Sequence, residues 1–150
     1  MEQAVIAQMQ SGRIVAGTEE IIDVDVVCVA VGLRPLTELA YMAGVYHDFI
    51  PELGGFMPLH NENMESSVPG IYVAGDTAGV EEANTAMDEG RLAGIAMAQS
   101  LGYLTKEDGE TAKEIVRERL TALRQGPFGE RRLQAKERIL EKGAKELCQS

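Results

Sequence analysis

The chain has 150 residues and 16.2 kDa, enough for one ordinary domain with a real core and too little for two independent enzyme domains. Apolar residues make up 45% and charged residues 25%, which excludes wholesale disorder, and no apolar run approaches the roughly 18 residues of a membrane span. The net charge of −10 argues against a nucleic-acid partner. Along the chain, residues 3–9 and 13–16 read as two short strands around a Ser11-Gly12 turn. Residues 20–31 form a stronger strand candidate. Its run Val26-Val27-Cys28-Val29-Ala30-Val31 suits a strand covered on both faces, as in a parallel or mixed sheet backed by helices. Gly32 ends that run, and Pro35 constrains the exit through its fixed φ. Residues 36–43 predict a short helix stopped by Gly44.

Residues 45–70 are the least regular part, punctuated by Gly54-Gly55, Pro58 and Pro69-Gly70. Ile71-Tyr72-Val73-Ala74 then predicts a short strand, followed by Gly75-Asp76 and a long helix over residues 81–101. Gly90 and Gly94 inside that helix cost about 1 kcal/mol each against alanine, which calls for a packing or ligand reason. Past Gly102, Thr105 and Asp108 resemble a capping box before a helix of about sixteen residues, and Gly126-Pro127-Phe128-Gly129 breaks it. Residues 131–147 predict a last amphipathic helix, with Leu133, Ile139, Leu140, Ala144 and Leu147 on one stripe. The tail reads as two helices packed on the domain or, alternatively, as a docking arm for a further protein chain.

The charge is unevenly spread. Residues 1–102 hold three arginines, no lysine and fifteen carboxylates, a net of −12, whereas residues 103–150 hold eleven basic and nine acidic groups, a net of +2. Cys28 reads as a small buried hydrophobe and Cys148 as exposed. There is no CxxC pair or closed metal-ligand set, so no metal is expected; His47-Asp48 and His60-Asn61-Glu62 read as surface or loop groups. This cysteine usage, with an N-terminus that lacks a basic flank and an apolar leader core, fits the cytoplasm.

Chemistry should concentrate where the strand at residues 71–74 delivers Gly75 and Asp76 to the carboxyl edge of a sheet, facing the start of the next helix. Gly75 permits close backbone approach, and Asp76 supplies an acceptor for a sugar or polyol hydroxyl, unless it only caps the following turn. Backbone amides around Glu82, Ala83 and Asn84 would face a ligand carbonyl or phosphate.

Val68-Pro69-Gly70-Ile71-Tyr72-Val73-Ala74-Gly75-Asp76, followed by Ala86, Glu89-Gly90-Arg91 and Ala93-Gly94, resembles the second flavin-binding signature of pyridine-nucleotide-disulfide-type FAD oxidoreductases. Val24-Asp25-Val26-Val27-Cys28-Val29-Ala30-Val31-Gly32-Leu33-Arg34-Pro35 resembles their earlier signature, and Gly54-Gly55-Phe56 completes an ordered match over residues 20–102. The long tail and Gly79-Val80-Glu81-Glu82-Ala83 look most like the amine-oxidising branch, which includes sarcosine oxidase alpha subunits and dye-linked proline or opine dehydrogenase subunits.

This resemblance implies an α/β fold: an incomplete FAD-binding, Rossmann-like, three-layer ββα domain with a helical C-terminal tail. Residues 1–22 would be remnant strands of an NAD(P)-type domain, residues 23–102 the C-terminal part of the FAD domain, and residues 103–150 a two-helix tail. Asp76 would accept a ribityl hydroxyl of FAD, Gly75 would let the flavin chain pass, and the Glu82 and Ala83 amides would point at the pyrimidine edge. Gly32 and Pro35 would shape the crossover near the cofactor; Arg34 would pair with a carboxylate of its own fold or reach phosphate, and Arg91 would be a structural pair rather than a catalyst. The GxGxxG that would cradle the pyrophosphate is not in the sequence, and NAD(P) would enter only through a domain that is not in it either.

The implied function is the FAD-binding portion of an oxidoreductase acting on a small amine or amino acid by hydride transfer, once joined to an N-terminal FAD-domain portion or partner subunit. A homo-oligomer is compatible with this. A non-catalytic scaffold subunit, or a portion of an NAD(P)H-dependent flavin reductase, is the alternative.

Overall fold

The short spacing of turn residues against β-branched residues sets the first 32 positions. The computed structural model describes residues 2–126 and 129–147, with side chains to Ala144. These divide into two compact units, Met1–Gly32 and Leu33–Ser150. In the first unit, β1 (Gln3–Ile6) pairs antiparallel with β4 (Glu20–Asp23), and β2 (Met9–Gln10) pairs with β3 (Arg13–Ile14). Ser11 and Gly12 both have positive φ, 50° and 77°, the geometry of a two-residue hairpin turn whose twist matches the strands it joins. That tight turn brings together only residues 9–14, with Val15 N–H donating to the Gln8 carbonyl. Residues 3–6 therefore find their partner farther on, at residues 20–23, rather than in the returning strand expected at 13–16.

The buried strand expected at residues 26–31 is not formed. These residues lie outside any strand, Val29 is 73% exposed and Val31 89%, and Cys28 is exposed rather than buried. A central strand needs ladder partners on both sides and cover on both faces. Among the described residues no strand pairs with it.

In the second unit, α1 (Glu38–Met42) occupies the core of the predicted short helix and turns out at Gly44. Next, β5 (His47–Ile50) and β6 (Gly55–Pro58) form an antiparallel hairpin around a 3-10 turn at Pro51–Leu53. Gly54 closes that turn with φ of 102°, and a Cβ there would sit 2.9 Å from Pro35 Cδ, so only glycine fits. The strand expected at residues 71–74 is reduced to a single bridge between Tyr72 and Glu65. A 3-10 turn at Gly75–Ala78 leads into α2 (Ala83–Ser100), followed by α3 (Lys106–Leu123) and α4 (Glu130–Leu147). Thr105 accepts a hydrogen bond from the Asp108 N–H at 3.1 Å and donates its hydroxyl to the Asp108 carboxylate at 2.6 Å, so the shorter Asp closes the capping motif. The Pro127-Phe128 break, the Leu147 side chain and Cys148 lie outside the described residues.

Three apolar clusters hold this unit. Leu92 and Ala93 of α2 meet Val116 and Leu120 of α3, with Met64 and Ala78 beneath them. Ala135 and Ile139 of α4 cover Ile50, Leu53, Met57 and Leu59 of the hairpin. Ala40, Val45 and Val73 form the third. The tail helices are therefore part of the core and not an arm extended from it. The architecture is α/β, with three two-stranded antiparallel sheets and a helical C-terminal region, and among the described residues it contains no Rossmann sheet.

Candidate functional site

The glycine–aspartate turn is held from below by buried charge. Gly75 takes φ of 64°, and its N–H donates to Glu89 Oε2 at 2.9 Å across to α2. The other carboxylate oxygen of Glu89 accepts from Arg124 at 2.6 Å and from Lys136 Nζ at 2.7 Å. Lys136 also donates to the Ala78 carbonyl at 2.8 Å, the last residue of the same turn. Glu81 joins the cluster, accepting from Arg124 Nε at 3.0 Å and from its Nη2 at 2.7 Å. Burial pushes the Glu81 carboxyl up, but the Arg124 hydrogen bonds and the Lys136 charge outweigh it and hold the group below its usual range. Burial works against the Arg124 cation, and its Glu81 and Glu89 partners more than restore it. Buried ion pairs of this kind add little net stability, because desolvation cancels much of the attraction, yet they fix geometry and are costly to break on one side.

Above this cluster Asp76 is exposed. Glu82 precedes the first residue of α2 and is exposed, as is Ala83, and no side chain caps that helix end. The first amides of α2 have no intrahelical acceptor and remain available at the positive end of the helix dipole. The structure thus gathers Gly75, Asp76, Glu82 and Ala83 at one turn and one helix start. Pro35 is buried against Gly54 and lines, with Arg34, Phe49 and Phe56, a pocket of about 340 Å³. Gly32, with φ of 114°, closes the first unit. Arg34 approaches Glu38 at 3.9 Å on the surface, and Arg91 pairs with Asp88 at 2.9 Å.

Sequence reasoning missed the supporting residues Glu81, Glu89, Arg124 and Lys136. A signal existed in the charge partition: the cationic tail lies against the acidic segment at many points. Lys142 meets Asp48 at 2.5 Å, Arg138 meets Glu52 at 3.5 Å and Arg119 meets Asp88 at 3.2 Å, besides the buried cluster. Of the surface or loop roles expected for His60, the structure shows a loop position that is buried, 2% exposed. Its Nδ1–H donates to the Asn61 carbonyl at 2.9 Å, and α4 lies against its backbone at Gly143. Burial, reinforced by Lys136, pushes its pKa down to about 4, so the ring is neutral near pH 7. No cluster of metal-ligating side chains occurs among the described residues, and no described helix is long and apolar enough to cross a membrane.

The polyol end of a flavin fits this arrangement: an exposed carboxylate on a glycine turn, next to an uncapped helix start. The family model for pyridine nucleotide-disulphide oxidoreductases matches residues 2–90. An opine oxidase subunit of Rhizobium meliloti is 38% identical over 71 residues, 47% of this chain and 16% of the relative. Hydrogen cyanide synthase subunit HcnB of Pseudomonas protegens is 32% identical over 79 residues, 53% of this chain and 17% of the relative. An NADH oxidase of Methanocaldococcus jannaschii is 44% identical over 54 residues, 36% of this chain and 11% of the relative. The matches thus span less than a fifth of the length of these relatives. No solved structure matches the chain.

Proposed function

Because the chain belongs to the pyridine nucleotide-disulphide oxidoreductase family, we propose that it is the FAD-binding portion of an oxidoreductase that acts on a small amine or amino acid. The observation that carries this reading is the exposed Asp76 on a clamped glycine turn that leads into the uncapped start of α2. FAD, when bound, supplies the redox chemistry by accepting a hydride equivalent from the substrate. This chain's own residues bind and orient: Asp76 accepts from a ribityl hydroxyl, and Gly75 keeps the backbone free of a side chain where the cofactor passes. The Glu82 and Ala83 amides face the pyrimidine edge, where the helix dipole favours negative charge. Gly32 and Pro35 shape the crossover into the flavin domain.

Residues 1–22 serve as remnant strands of an NAD(P)-type domain, residues 23–102 as the flavin-domain portion and residues 103–150 as the tail. The pyrophosphate cradle comes from an N-terminal flavin-domain segment or a partner subunit. Similarity to opine oxidase subunits supports an amine-type substrate. A second reading, a portion of an NAD(P)H-dependent flavin reductase, is favoured by the 44% identity to an NADH oxidase. Cys28, exposed and without a disulfide partner among the described residues, suits a reducing compartment such as the cytoplasm.

The test is FAD retention. In the completed flavoprotein, Asp76→Ala should weaken FAD binding about tenfold, the loss of one hydrogen bond to a charged acceptor. Unchanged affinity would reject the ribityl role. The chain by itself should hold no stoichiometric FAD, and tight, saturable binding by it would overturn the need for a completing segment.

A further inference from the structure

The Gly75–Ala78 turn is tied at both of its ends to one ion pair: its first N–H to Glu89, its last carbonyl to Lys136, and Glu89 to Lys136 at 2.7 Å. Lys136 stands on α4 and Arg124 just beyond the end of α3, so both helices of the tail reach the Glu89 carboxylate that holds this turn. Both cations are largely buried, Lys136 at 3% exposure, and Glu89 at 2%. Such groups persist inside a protein only where each is paired and hydrogen-bonded, and these spend their bonds on the backbone that carries Asp76. Replacing Lys136 alone releases the Ala78 end of the turn and leaves the buried Glu89 carboxylate with Arg124.

We propose that Lys136, acting through Glu89, is a positioning residue for the flavin-binding turn, so that the C-terminal tail sets how tightly the flavoprotein keeps its cofactor. This rests on the FAD reading above. Lys136 does not touch the cofactor; it fixes both ends of a four-residue turn whose second residue does. Arg124 shares the Glu89 oxygen with Lys136 and also pairs with Glu81, so the two cations together hold the carboxylate at the Gly75 amide.

Two measurements separate the clamp from the cofactor. Hydrogen exchange in this chain should show the Gly75 and Gly79 amides exchanging at least tenfold faster in Lys136→Met, with the middle of α2 protected as before. In the completed, FAD-loaded flavoprotein, Lys136→Met should release FAD about tenfold faster and alter the visible circular dichroism of the flavin. Where Lys136→Met fails to fold, the double variant Glu89→Gln, Lys136→Met removes both charges together and should loosen the same amides. Unchanged exchange at the turn overturns the proposal, and so does a loosened turn that releases FAD at the wild-type rate. A completed wild-type protein that binds no FAD, with the turn loosened in Lys136→Met, sinks the flavin reading instead.

Discussion

His60 shows how a single residue changes meaning on burial. In the sequence it sits in an irregular, polar stretch; in the structure it lies under α4 with Lys136 nearby, and its pKa falls to about 4. The folded state therefore holds a neutral ring where the unfolded chain, with its pKa near 6.5, would bind a proton. The stability this contributes is complete above about pH 6.5 and is lost as pH falls from there towards 4, up to about 3 kcal/mol. Thermal melts of the wild type should drop across that window, and those of His60→Asn should drop much less; parallel curves would show that His60 does not titrate with folding. Glu81 acts in a lower range, since its carboxyl is held below the usual value, so its contribution disappears only in stronger acid.

Among the elements, the helices were the most legible from sequence and the strands the least. A helix makes its own hydrogen bonds and shows its buried stripe at a period of 3.6, so α2, α3 and α4 stand close to their predicted bounds. A strand depends on what lies beside it, and residues 26–31 and 71–74 have too few neighbours to become ladders. Glycines inside helices divide in the same way. A Cβ at Gly94 would meet nothing within 4 Å among the described residues, which supply no packing reason for that glycine. Gly143 lies directly against the His60 carbonyl, and a methyl there would push α4 off the loop. Denaturant titration should find Gly94→Ala more stable by up to about 1 kcal/mol, the helix-propensity gain alone. Gly143→Ala should be less stable by about 1–3 kcal/mol despite the same gain, because the overpacked contact is with backbone that cannot rotate away. Equal effects at the two sites would contradict the close approach of α4.

For the whole molecule, the balance of charge and exposed apolar surface decides what the chain can do alone. The tail supplies the cations that the acidic segment lacks, and they fix the geometry of the second unit around the glycine–aspartate turn. Among the described residues no strand pairs with residues 26–31 of the first unit, whose valines are exposed. Apolar surface of that extent favours burial against another surface. Val29→Lys should leave the stability of the chain within about 0.5 kcal/mol, as for most exposed positions. It should also weaken association with the completing flavin-domain segment at least tenfold, since a buried, unpaired lysine is costly. Co-purification and titration would measure this, and undiminished association would place the run outside the interface.

By itself the sequence determined what depends on local order: the helix periodicities, the Thr105 cap, the Ser11-Gly12 turn and the ordered motifs of a flavoprotein family. Family membership was legible because the family's motifs keep particular residues at particular spacings, and the Gly75-Asp76 turn because its positive φ calls for glycine. Only the tertiary structure decided which distant charges meet. Glu89 lies 47 positions from Lys136 and Arg124 lies 43 from Glu81, separations at which no sequence period operates. Whether a lysine is a solvated surface group or the buried tether of a turn depends on the packing of α4 over the hairpin, and that packing is a property of the folded chain as a whole.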